Sequence, residues 1–402
     1  MVAFEFPPSN GASVPRIESF YRYLKKWGWR VVVLTANPRA YERLNSSYKD
    51  ASDDIVYRSL ALDVPRHLSI KGKYWAAMER PDRWGLTWIP STLLNARNVI
   101  KKYQPDAIWS SSPIPSTHYI ANYLSQKYHL PWVADYRDPF HYMNGSAGPT
   151  LDKQHKVIDY KTLCNATKLT FATAQVKALY EDKYQDLVRK KSTVIENGYD
   201  EANFERLATL NSFATPFCDK KFSLYYSGVL YSNGRDPRPV FAAIAELRNM
   251  DVINDQNFEL VFQGAGDGQE FQKELTQYRI DTMVKFEAPV SFMEALNNMM
   301  HADALLLIQD KRFNKQIPGK IYEYLRTQKP MLLKAPPQGA TYQLAKQYEG
   351  VYAGHDKDTL VSELITLLKN KQTDISRNVS HLNRENRAKQ LHNILNDITY
   401  SS

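Results

Sequence analysis

The sequence predicts an α/β protein made of two doubly wound domains, each a parallel sheet covered by helices on both faces. Three observations predict this fold class. The chain has 402 residues, more than one hydrophobic core usually organises, so two domains of about 200 residues are expected. Short apolar runs alternate with helical patterns along the chain, which is typical of βαβ units. The alternation is interrupted at residues 208–220, where Ser, Thr and Asn are scattered without periodicity, and then begins again.

The first half opens with a short predicted strand, residues 2–6, which the loop Pro-Pro-Ser-Asn-Gly ends. A helix is predicted next, because apolar residues recur at helical spacing from Ile17 to Trp27. Residues 31–34 are apolar throughout, as expected of a parallel strand that is buried on both faces. The same order continues with predicted helices over 93–100 and 118–128 and with predicted strands at 107–109, 132–134, 169–172 and 193–195.

The second half repeats this order after the interruption. Its predicted strands, each followed by a helical pattern, are residues 222–226, 259–262, 284–286, 304–308 and 331–333. We therefore predict an N-terminal domain over 1–200 and a C-terminal domain over 201–380. A last helix within residues 381–402 either caps the second domain or packs back on the first. Ligands of such sheets bind outside the carboxyl ends of the strands, so a nucleotide site is expected in a cleft between two such domains.

Composition and charge limit the class of partner. The net charge is +9 and the pI is about 9.1, which favours anionic partners. The Lys and Arg residues are scattered and no nucleic-acid-binding motif is present, so nucleic acid is not expected. Cys164 and Cys218 have no metal-ligand spacing, and a reducing compartment is expected. No apolar run reaches ~20 residues and no signal-peptide pattern is present, so we expect a protein of the cytoplasm.

The motif that bears most on function is QIPGKIYEYL at residues 316–325. Pro318 and Gly319 stand where a loop turns into a helix, so backbone N–H groups there can point at a diphosphate. Lys320 adds a positive charge, and Glu323 lies about one helical turn later. The alternative is that Lys320 and Glu323 form a surface ion pair worth only ~0.3 kcal/mol.

This motif resembles the donor site of the retaining glycosyltransferases of family 4, whose fold, called GT-B, has two Rossmann-like domains facing across a cleft. The resemblance covers essentially the whole chain and includes FPPSNGASVPR, SSPIPSTHYIANYL, LPWVADYRDPF, VIENGYD and YYSGVLYSNGRDPRP. Several of these strings resemble a bacterial subgroup that acts in surface-polysaccharide assembly, such as exopolysaccharide, capsule or O-antigen.

The resemblance implies transfer of a hexosyl or N-acetylhexosaminyl group, with retention of configuration, from a nucleotide-diphosphate-sugar to a glycan or polyprenyl-linked acceptor. The nucleotide-sugar is a co-substrate, and neither a cofactor nor a metal ion is expected. No Asp-x-Asp sequence in a suitable loop suggests a metal site. Two alternatives stay open: a nucleotide-sugar epimerase of the same fold, and a non-catalytic subunit that binds nucleotide or glycan.

In the C-terminal half, the resemblance implies the donor-binding residues. Glu323 would bind the ribose hydroxyls, and Gly228 would supply a turn that lets the backbone approach the donor closely. Arg235 and Lys320 would neutralise the leaving diphosphate, because positioned cations stabilise charge as it develops. Gly264 would lie in a glycine turn beside the nucleotide.

Three features of this half limit the donor assignment. Lys315 stands where much of the family has a second glutamate that helps to hold the donor sugar, so the identity of the sugar stays open. Arg238 is expected to be a solvated loop charge rather than a donor contact. The glycines that begin at Gly264 are spaced GxGxG, which does not match the GxGxxG pattern of a dinucleotide site.

The N-terminal half would hold the acceptor. Gly11 lies where the family has a glycine-rich loop, beneath the donor phosphates or the acceptor, and His118 lies where a histidine often contacts the transferred sugar. Asp138 is a candidate acceptor contact or base, although buried charges at a strand end also need a structural partner. The other candidates on the acceptor side are Arg16, Asp135 and Arg137. The candidate catalytic residues are His118, Asp138, Arg235 and Lys320.

Residues 71–89 combine Lys and Arg with Tyr and Trp. Aromatic rings with nearby cations are typical of segments that rest at a lipid headgroup layer. This pattern predicts peripheral contact with an anionic membrane, on the inner face of the plasma membrane. The alternative is a helical insertion whose tryptophans are buried against the first domain.

Overall fold

The computed structural model describes residues 1–45, 48–145, 148–210, 213–230, 234–370 and 374–400. The chain forms two compact units. The first contains Met1–Asn197 together with Arg384–Ser402, and the second contains Gly198–Asn383. No helix among the described residues is long and apolar enough to span a bilayer.

The first unit is built on a parallel sheet. Its strands are β1 (Val32–Ala36), β2 (Ile55–Ser59), β3 (Ile108–Ser111), β4 (Trp132–Tyr136), β5 (Lys168–Phe171) and β6 (Ser192–Val194). β1 pairs with β2, and β3 to β6 pair in sequence order.

The segment at the N-terminus lies between β1 and β3. Val2 bridges to Leu34 of β1 on one side and to Ser110 of β3 on the other. The predicted first strand is therefore short: only Val2 makes ladder contacts on both sides. The chain runs from this central segment outward to β1 and β2, and then crosses to β3 on the other side.

Helices cover both faces of this sheet. Adjacent strand residues belong to different core clusters: Val33 and Val133 pack with Phe20 of the first helix, whereas Leu34 and Ala134 pack with Trp88. The helices are α1 (Val14–Lys26), α2 (Val64–His67), α3 (Gly85–Tyr103), α4 (Pro115–Tyr128), α5 (His141–Asn144), α6 (Pro149–Asn165), α7 (Ala174–Tyr184) and α8 (Asp186–Arg189).

The second unit has a six-stranded parallel sheet in the order β12-β11-β10-β7-β8-β9. Its strands are β7 (Phe222–Ser227), β8 (Phe258–Gln263), β9 (Val284–Glu287), β10 (Ala304–Ile308), β11 (Met331–Lys334) and β12 (Val351–Gly354). Its helices are α9 (Glu201–Thr209), α10 (Arg238–Asn249), α11 (Gln272–Tyr278), α12 (Phe292–His301), α13 (Lys320–Arg326), α14 (Ala340–Ala345) and α15 (Lys357–Lys369). The strand order reverses between β7 and β10, as in Rossmann folds.

The last helix, α16 (Arg384–Tyr400), belongs to the first unit. It packs against α1 and buries Leu391, Leu395 and Ile398 in the same cluster as Phe20. Of the two placements that the sequence left open for this helix, the structure therefore has the one on the first unit.

Candidate functional site

In the second unit, the neighbouring strands β7 and β10 mark the point where the strand order reverses. The loops that follow two such strands leave in opposite directions, which opens a crevice at their carboxyl ends. The loop after β7 contains Gly228 and Arg235, and the segment after β10 leads through Pro318 and Gly319 to α13. Residues from separate parts of the sequence thus meet at one edge of the sheet.

Lys320, the first residue of α13, lies directly on the end of β7. Its Nζ donates a hydrogen bond to the carbonyl oxygen of Ser227 and lies 4.1 Å from the centroid of the Tyr226 ring. Gly228 has a φ of 111°, which disfavours any side chain, and a Cβ there would lie 3.1 Å from Nζ. Glycine at 228 therefore leaves the space that the Lys320 ammonium group uses.

The pKa of Lys320 is lowered well below the ordinary lysine value. Burial is the largest cause, the positive charge of Arg235 adds to it, and the negative charge of Glu323 opposes it. Glu323 is 7% exposed. The protonated lysine is thus disfavoured in the unliganded protein, and a nearby anion would stabilise it.

Two arginines after β7 have different surroundings. The Arg235 guanidinium donates to the carbonyl oxygen of Val229 at 3.2 Å and acts electrostatically on Lys320. Arg238 donates instead to Glu274 at 3.0 Å and to Asp236 at 3.1 Å. Arg238 is therefore held by two carboxylates on the outside of this segment.

The remaining predicted donor positions lie at the same edge of the sheet. Gly319 caps α13 with helical dihedral angles and nothing lies within 4 Å of a Cβ built on it. Gly264 follows β8 with a φ of 68°. Lys315 lies half-buried in the segment before α13. Among the described residues, no group of three or more His, Cys, Asp and Glu side chains is placed to hold a metal ion.

An ion pair that the sequence analysis did not single out supports this edge. The ammonium group of Lys334, at the end of β11, contacts the carboxylate of Asp310, just after β10. Asp310 also accepts the backbone N–H of Asp236 at 2.9 Å. The pair ties the loop after β7 to β10 and β11. The one signal in the sequence is a lysine that closes the apolar run of β11.

In the first unit, Arg16 and Asp135 form a buried ion pair. Nε and Nη2 of Arg16 donate to the two carboxylate oxygens of Asp135 at 3.0 and 2.7 Å. Asp135 also accepts hydrogen bonds from Ser111 at 2.8 Å and from Thr170 at 2.7 Å. Nη1 of Arg16 donates to the carbonyl oxygen of Glu196 at 3.0 Å.

These contacts use the hydrogen-bonding capacity of both groups. Burial opposes ionisation of Asp135, but the charge of Arg16 and the hydrogen bonds outweigh it, so that the pKa of Asp135 is lowered. Arg16 is 4% exposed and Asp135 is fully buried. As placed, the pair joins α1 to β4 and its neighbouring strands, and neither charge extends toward solvent to meet an acceptor.

His118 is buried among aromatic rings in the second turn of α4. Trp132 donates its indole N–H to the Ser110 hydroxyl at 2.8 Å, and that hydroxyl lies 2.9 Å from Nδ1 of His118. If the Ser110 hydroxyl donates its hydrogen to Nδ1 of His118, the imidazole proton is on Nε2. Nε2 has no hydrogen-bond partner among the described residues. Burial lowers the pKa of His118 to about 3, although the charge of Asp135 opposes the shift. His118 is therefore neutral at physiological pH.

Arg137 and Asp138, after β4, contact each other: Nε of Arg137 lies 3.3 Å from the Asp138 carboxylate. Both remain partly exposed, at 15% and 28% of their side chains. The Ser112 hydroxyl accepts the backbone N–H of Arg137 at 3.1 Å and donates to the carbonyl oxygen of Asp138 at 3.2 Å. Asp138 is thus a carboxylate held in place at the edge of the sheet and open to solvent.

A carboxylate that was not predicted from the sequence lies over the first loop of this unit. The Glu5 side chain packs over Gly11, where any Cβ would collide with it, and it accepts a hydrogen bond from the Ser13 hydroxyl. A carboxylate therefore lies directly over this glycine. No spacing rule in the sequence points to Glu5, because it precedes the loop on the short first segment.

Residues 71–89 divide between the two interpretations that the sequence allowed. Trp88 is fully buried, and the Trp84 ring lies 4.5 Å from the Phe4 ring, so both pack in the core of the first unit. Trp75, in contrast, is 75% exposed.

Residues 14–203 match the family model described as Glycosyltransferase Family 4. The match includes every candidate of the N-terminal half except Gly11, and it ends before the Lys320 region. No curated protein sequence matches the chain.

Solved structures resemble the whole chain. The sucrose-phosphate synthase of Thermosynechococcus elongatus has a TM-score of 0.66 at 15% identity, covering 99% of this chain and 96% of that chain. The α,α-trehalose 6-phosphate synthase of Burkholderia multivorans has a TM-score of 0.65 at 11% identity, covering 100% of this chain and 96% of that chain. The UDP-GlcNAc 2-epimerase of Methanocaldococcus jannaschii has a TM-score of 0.55 at 11% identity, covering 98% of this chain and 99% of that chain. At these identities the likeness shows the fold, and the predicted α/β class with two Rossmann-like domains of GT-B type is confirmed.

Proposed function

We propose that this protein is a glycosyltransferase that moves a sugar from a nucleotide-diphosphate-sugar to a glycan or lipid-linked acceptor. The match of residues 14–203 to Glycosyltransferase Family 4 supports the reaction class. The sucrose-phosphate and trehalose 6-phosphate synthases of the same fold support it further. Retention of configuration, a role in bacterial polysaccharide assembly and a cytoplasmic location complete the proposal.

The observation that carries the donor half of this proposal is the position of Lys320. Its ammonium group lies at the carboxyl end of β7, where the strand order reverses, and the charge of Arg235 acts on it. Cleavage of the sugar–phosphate bond leaves negative charge on the nucleotide, and fixed cations stabilise that charge as it develops. In this proposal the two cations offset the charge of the diphosphate, so turnover needs no divalent metal and persists in EDTA.

The acceptor half rests on the first unit. Asp138, a carboxylate at the carboxyl end of β4, would accept a hydrogen bond from the acceptor hydroxyl. His118 is fully buried, so it would support this edge through its contact with Ser110 rather than bind the acceptor. The Arg16–Asp135 pair would hold the strand ends beneath Asp138. Arg137 would set the position of Asp138 through their contact.

The donor site is tested by substituting its two cations. Lys320→Ala and Arg235→Ala are each expected to reduce turnover by roughly 100-fold or more, as loss of one group that stabilises transition-state charge does. They should also weaken binding of nucleoside diphosphates, measured by calorimetry. Arg238→Ala is the matched control, since this cation of the same segment is held by two carboxylates. Unchanged affinity and turnover in the Lys320/Arg235 double variant would refute the donor site.

The reaction class is tested by product analysis. A thermal-shift screen of nucleotide-sugars would first identify the donor, because a ligand that binds only the folded state raises its apparent stability. The purified chain would then be given that donor with and without glycan acceptors. We expect a transferred sugar that appears only with an acceptor. Conversion of the donor alone to an epimer, or no turnover by the purified chain, would contradict the proposal.

A further inference from the structure

A closed loop leaves the first unit between β2 and α3. Its two ends are joined where Nε and Nη2 of Arg83 donate to the Asp63 carboxylate at 3.2 and 2.6 Å. The backbone N–H of Val64 also donates to the carbonyl oxygen of Arg83 at 3.0 Å. Asp63 is fully buried. Val64 is buried, and Asp82 accepts a hydrogen bond from the backbone N–H of Ser116 at 2.8 Å. The ends of the loop are therefore fixed, and its middle, residues 70–76, is exposed throughout.

The tip of this loop is a tight hairpin. Ile70 and Lys73 exchange both backbone hydrogen bonds, at 2.8 and 3.0 Å. The two residues between them, Lys71 and Gly72, have φ values of 51° and 75°, the left-handed conformation that two-residue hairpin turns use. We name residues 70–75 the tip hairpin. Its shape is defined by its own backbone hydrogen bonds. Its side chains are therefore not needed to hold the turn, and they are exposed.

The tip hairpin exposes large apolar side chains beside cations. Ile70 is 79% exposed and Trp75 is 75% exposed. Lys71 and Lys73 are exposed as well. No Asp or Glu occurs from residue 64 to residue 78, whereas Arg66, Lys71 and Lys73 do. Glu79, the next acidic residue, accepts a hydrogen bond from the Tyr74 hydroxyl at 3.2 Å. The tip hairpin thus presents an aliphatic and an indole side chain beside two lysines.

We propose that the tip hairpin inserts into the surface of an anionic lipid bilayer. Ile70 and Trp75 would enter the boundary between headgroups and acyl chains, and the two lysines would meet lipid phosphates. A tryptophan suits this boundary because one part of its ring is apolar and its N–H can bond to water. Two projecting side chains are far fewer than the 20–30 residues that each partner usually contributes to a stable protein interface.

The place where the loop leaves the sheet indicates which edge of the first unit would face the bilayer. The loop follows β2, and the carboxyl ends of parallel strands lie at one edge of a sheet, so the loop leaves from the edge that holds Asp138. If the proposed transfer is correct, an acceptor anchored in the bilayer would be presented at that edge. Membrane binding itself does not depend on the proposed reaction.

The experiment uses the full chain and vesicle sedimentation. Vesicles of phosphatidylcholine with phosphatidylglycerol are compared with vesicles of phosphatidylcholine alone, at low and high salt. We expect the wild type to bind the anionic vesicles, and more weakly as salt rises. The Lys71→Ala/Lys73→Ala variant should bind roughly 30-fold more weakly, from about 1 kcal/mol for each lysine near an anionic surface.

Two controls match these changes. Lys101→Ala/Lys102→Ala removes the same charge from exposed residues at the far end of α3, roughly 25 Å away along the helix, and should bind like the wild type. Leu94→Ser removes a side chain that is 68% exposed on α3 and is compared with Trp75→Ser. Circular dichroism checks that each variant is folded.

Insertion is read from tryptophan fluorescence with brominated lipids. Quenching is expected in the wild type and should be lost in Trp75→Phe, while the fully buried Trp88 and the half-buried Trp84 stay unquenched. Absence of binding to anionic vesicles, or equal binding by the hairpin variants and the wild type, would overturn the proposal. So would a monomer–dimer equilibrium that the Trp75 variant abolishes while vesicle binding persists, because the surface would then contact a second copy of the chain.

Discussion

Lys320 and His118 are both basic side chains whose charged forms are disfavoured by burial, and the charges near them differ. His118 has its pKa lowered to about 3 by burial, so it stays neutral and can donate through one ring nitrogen. Lys320 is also disfavoured as a cation, but the charge of Glu323 opposes the shift and Arg235 adds a second positive charge nearby. A bound diphosphate would reverse the balance at Lys320 and leave His118 unchanged.

This reversal predicts proton uptake when nucleotide binds. The pKa of Lys320 is lowered in the free protein, and an anion beside it favours the ammonium form and raises that pKa. Between the two pKa values, binding therefore takes up a proton, and affinity falls as the pH rises through that window. Calorimetry in buffers of different ionisation enthalpy measures the uptake.

Lys320→Arg is the control for this prediction, because a guanidinium stays charged throughout. It should keep measurable affinity and lose the proton uptake. Equal uptake by the arginine variant and the wild type would show that another group titrates.

At the scale of secondary-structure elements, the Arg16–Asp135 pair is a buried polar link within the first unit. It joins α1 to β4, and Ser111 and Thr170 extend the contact to β3 and β5. Because the pKa of Asp135 is lowered in the fold, its contribution to stability is present above the ordinary aspartate pKa of 3.8 and is lost as the pH falls through the lower folded value.

Removing one partner of this pair should leave an uncompensated buried charge. Arg16→Met alone or Asp135→Asn alone is expected to lower the free energy of unfolding by about 3–5 kcal/mol, measured by denaturant titration. The Arg16→Met/Asp135→Asn double variant should lose less free energy of unfolding than the sum of the two single losses. Asp186→Ala, which breaks an exposed pair with Lys190, should cost less than about 1 kcal/mol. If Arg16→Met and Asp135→Asn each lowered the free energy of unfolding as little as Asp186→Ala, the pair would not stabilise the fold.

At the scale of the whole molecule, the two units differ in how the sequence builds them. The second unit is one continuous segment with a complete sheet, whereas the first is closed by α16 from the far end of the chain. Leu391, Leu395 and Ile398 of α16 fill the core beside α1. The first unit is therefore incomplete until α16 has been synthesised.

Fragments test this asymmetry. Residues 198–383 alone should fold cooperatively and bind the nucleotide that the full chain binds. Residues 1–197 alone should expose an apolar face, bind a hydrophobic dye and aggregate. Joining residues 384–402 to them through a flexible linker should restore folding. A stable, soluble 1–197 fragment that is unchanged by adding the helix would contradict this reading of the fold.

Much of the fold could be predicted from local pattern. The apolar runs at residues 304–308 and 331–333 predicted β10 and β11 because these strands are buried on both faces. β2 and β12 were not predicted, and both are edge strands whose residues are mostly half-buried. β6 and β9 are half-buried edge strands as well and were predicted, so an edge position weakens the pattern but does not by itself hide a strand.

The candidate site could be predicted only in part. The motif at residues 316–325 indicated Lys320 and Glu323, since loop and helix signals are local. It could not show that Lys320 reaches the carbonyl oxygen of Ser227, 93 positions earlier. A charged residue at a strand end looks the same in the sequence whether it is exposed or paired. Asp138 stays open to solvent, whereas Asp135 is paired with Arg16, 119 positions away.

By itself the sequence determined the fold class and the number of domains, and it predicted the segments that we propose to carry chemistry, because these follow from periodicity, length and residue type. Only the tertiary structure decided which charges neutralise each other, which unit α16 completes, and which of the tryptophans in residues 71–89 faces solvent. The physical reason is that a buried charge or an apolar face is satisfied by whatever the packed chain brings against it. That partner is distant in sequence and leaves no local pattern.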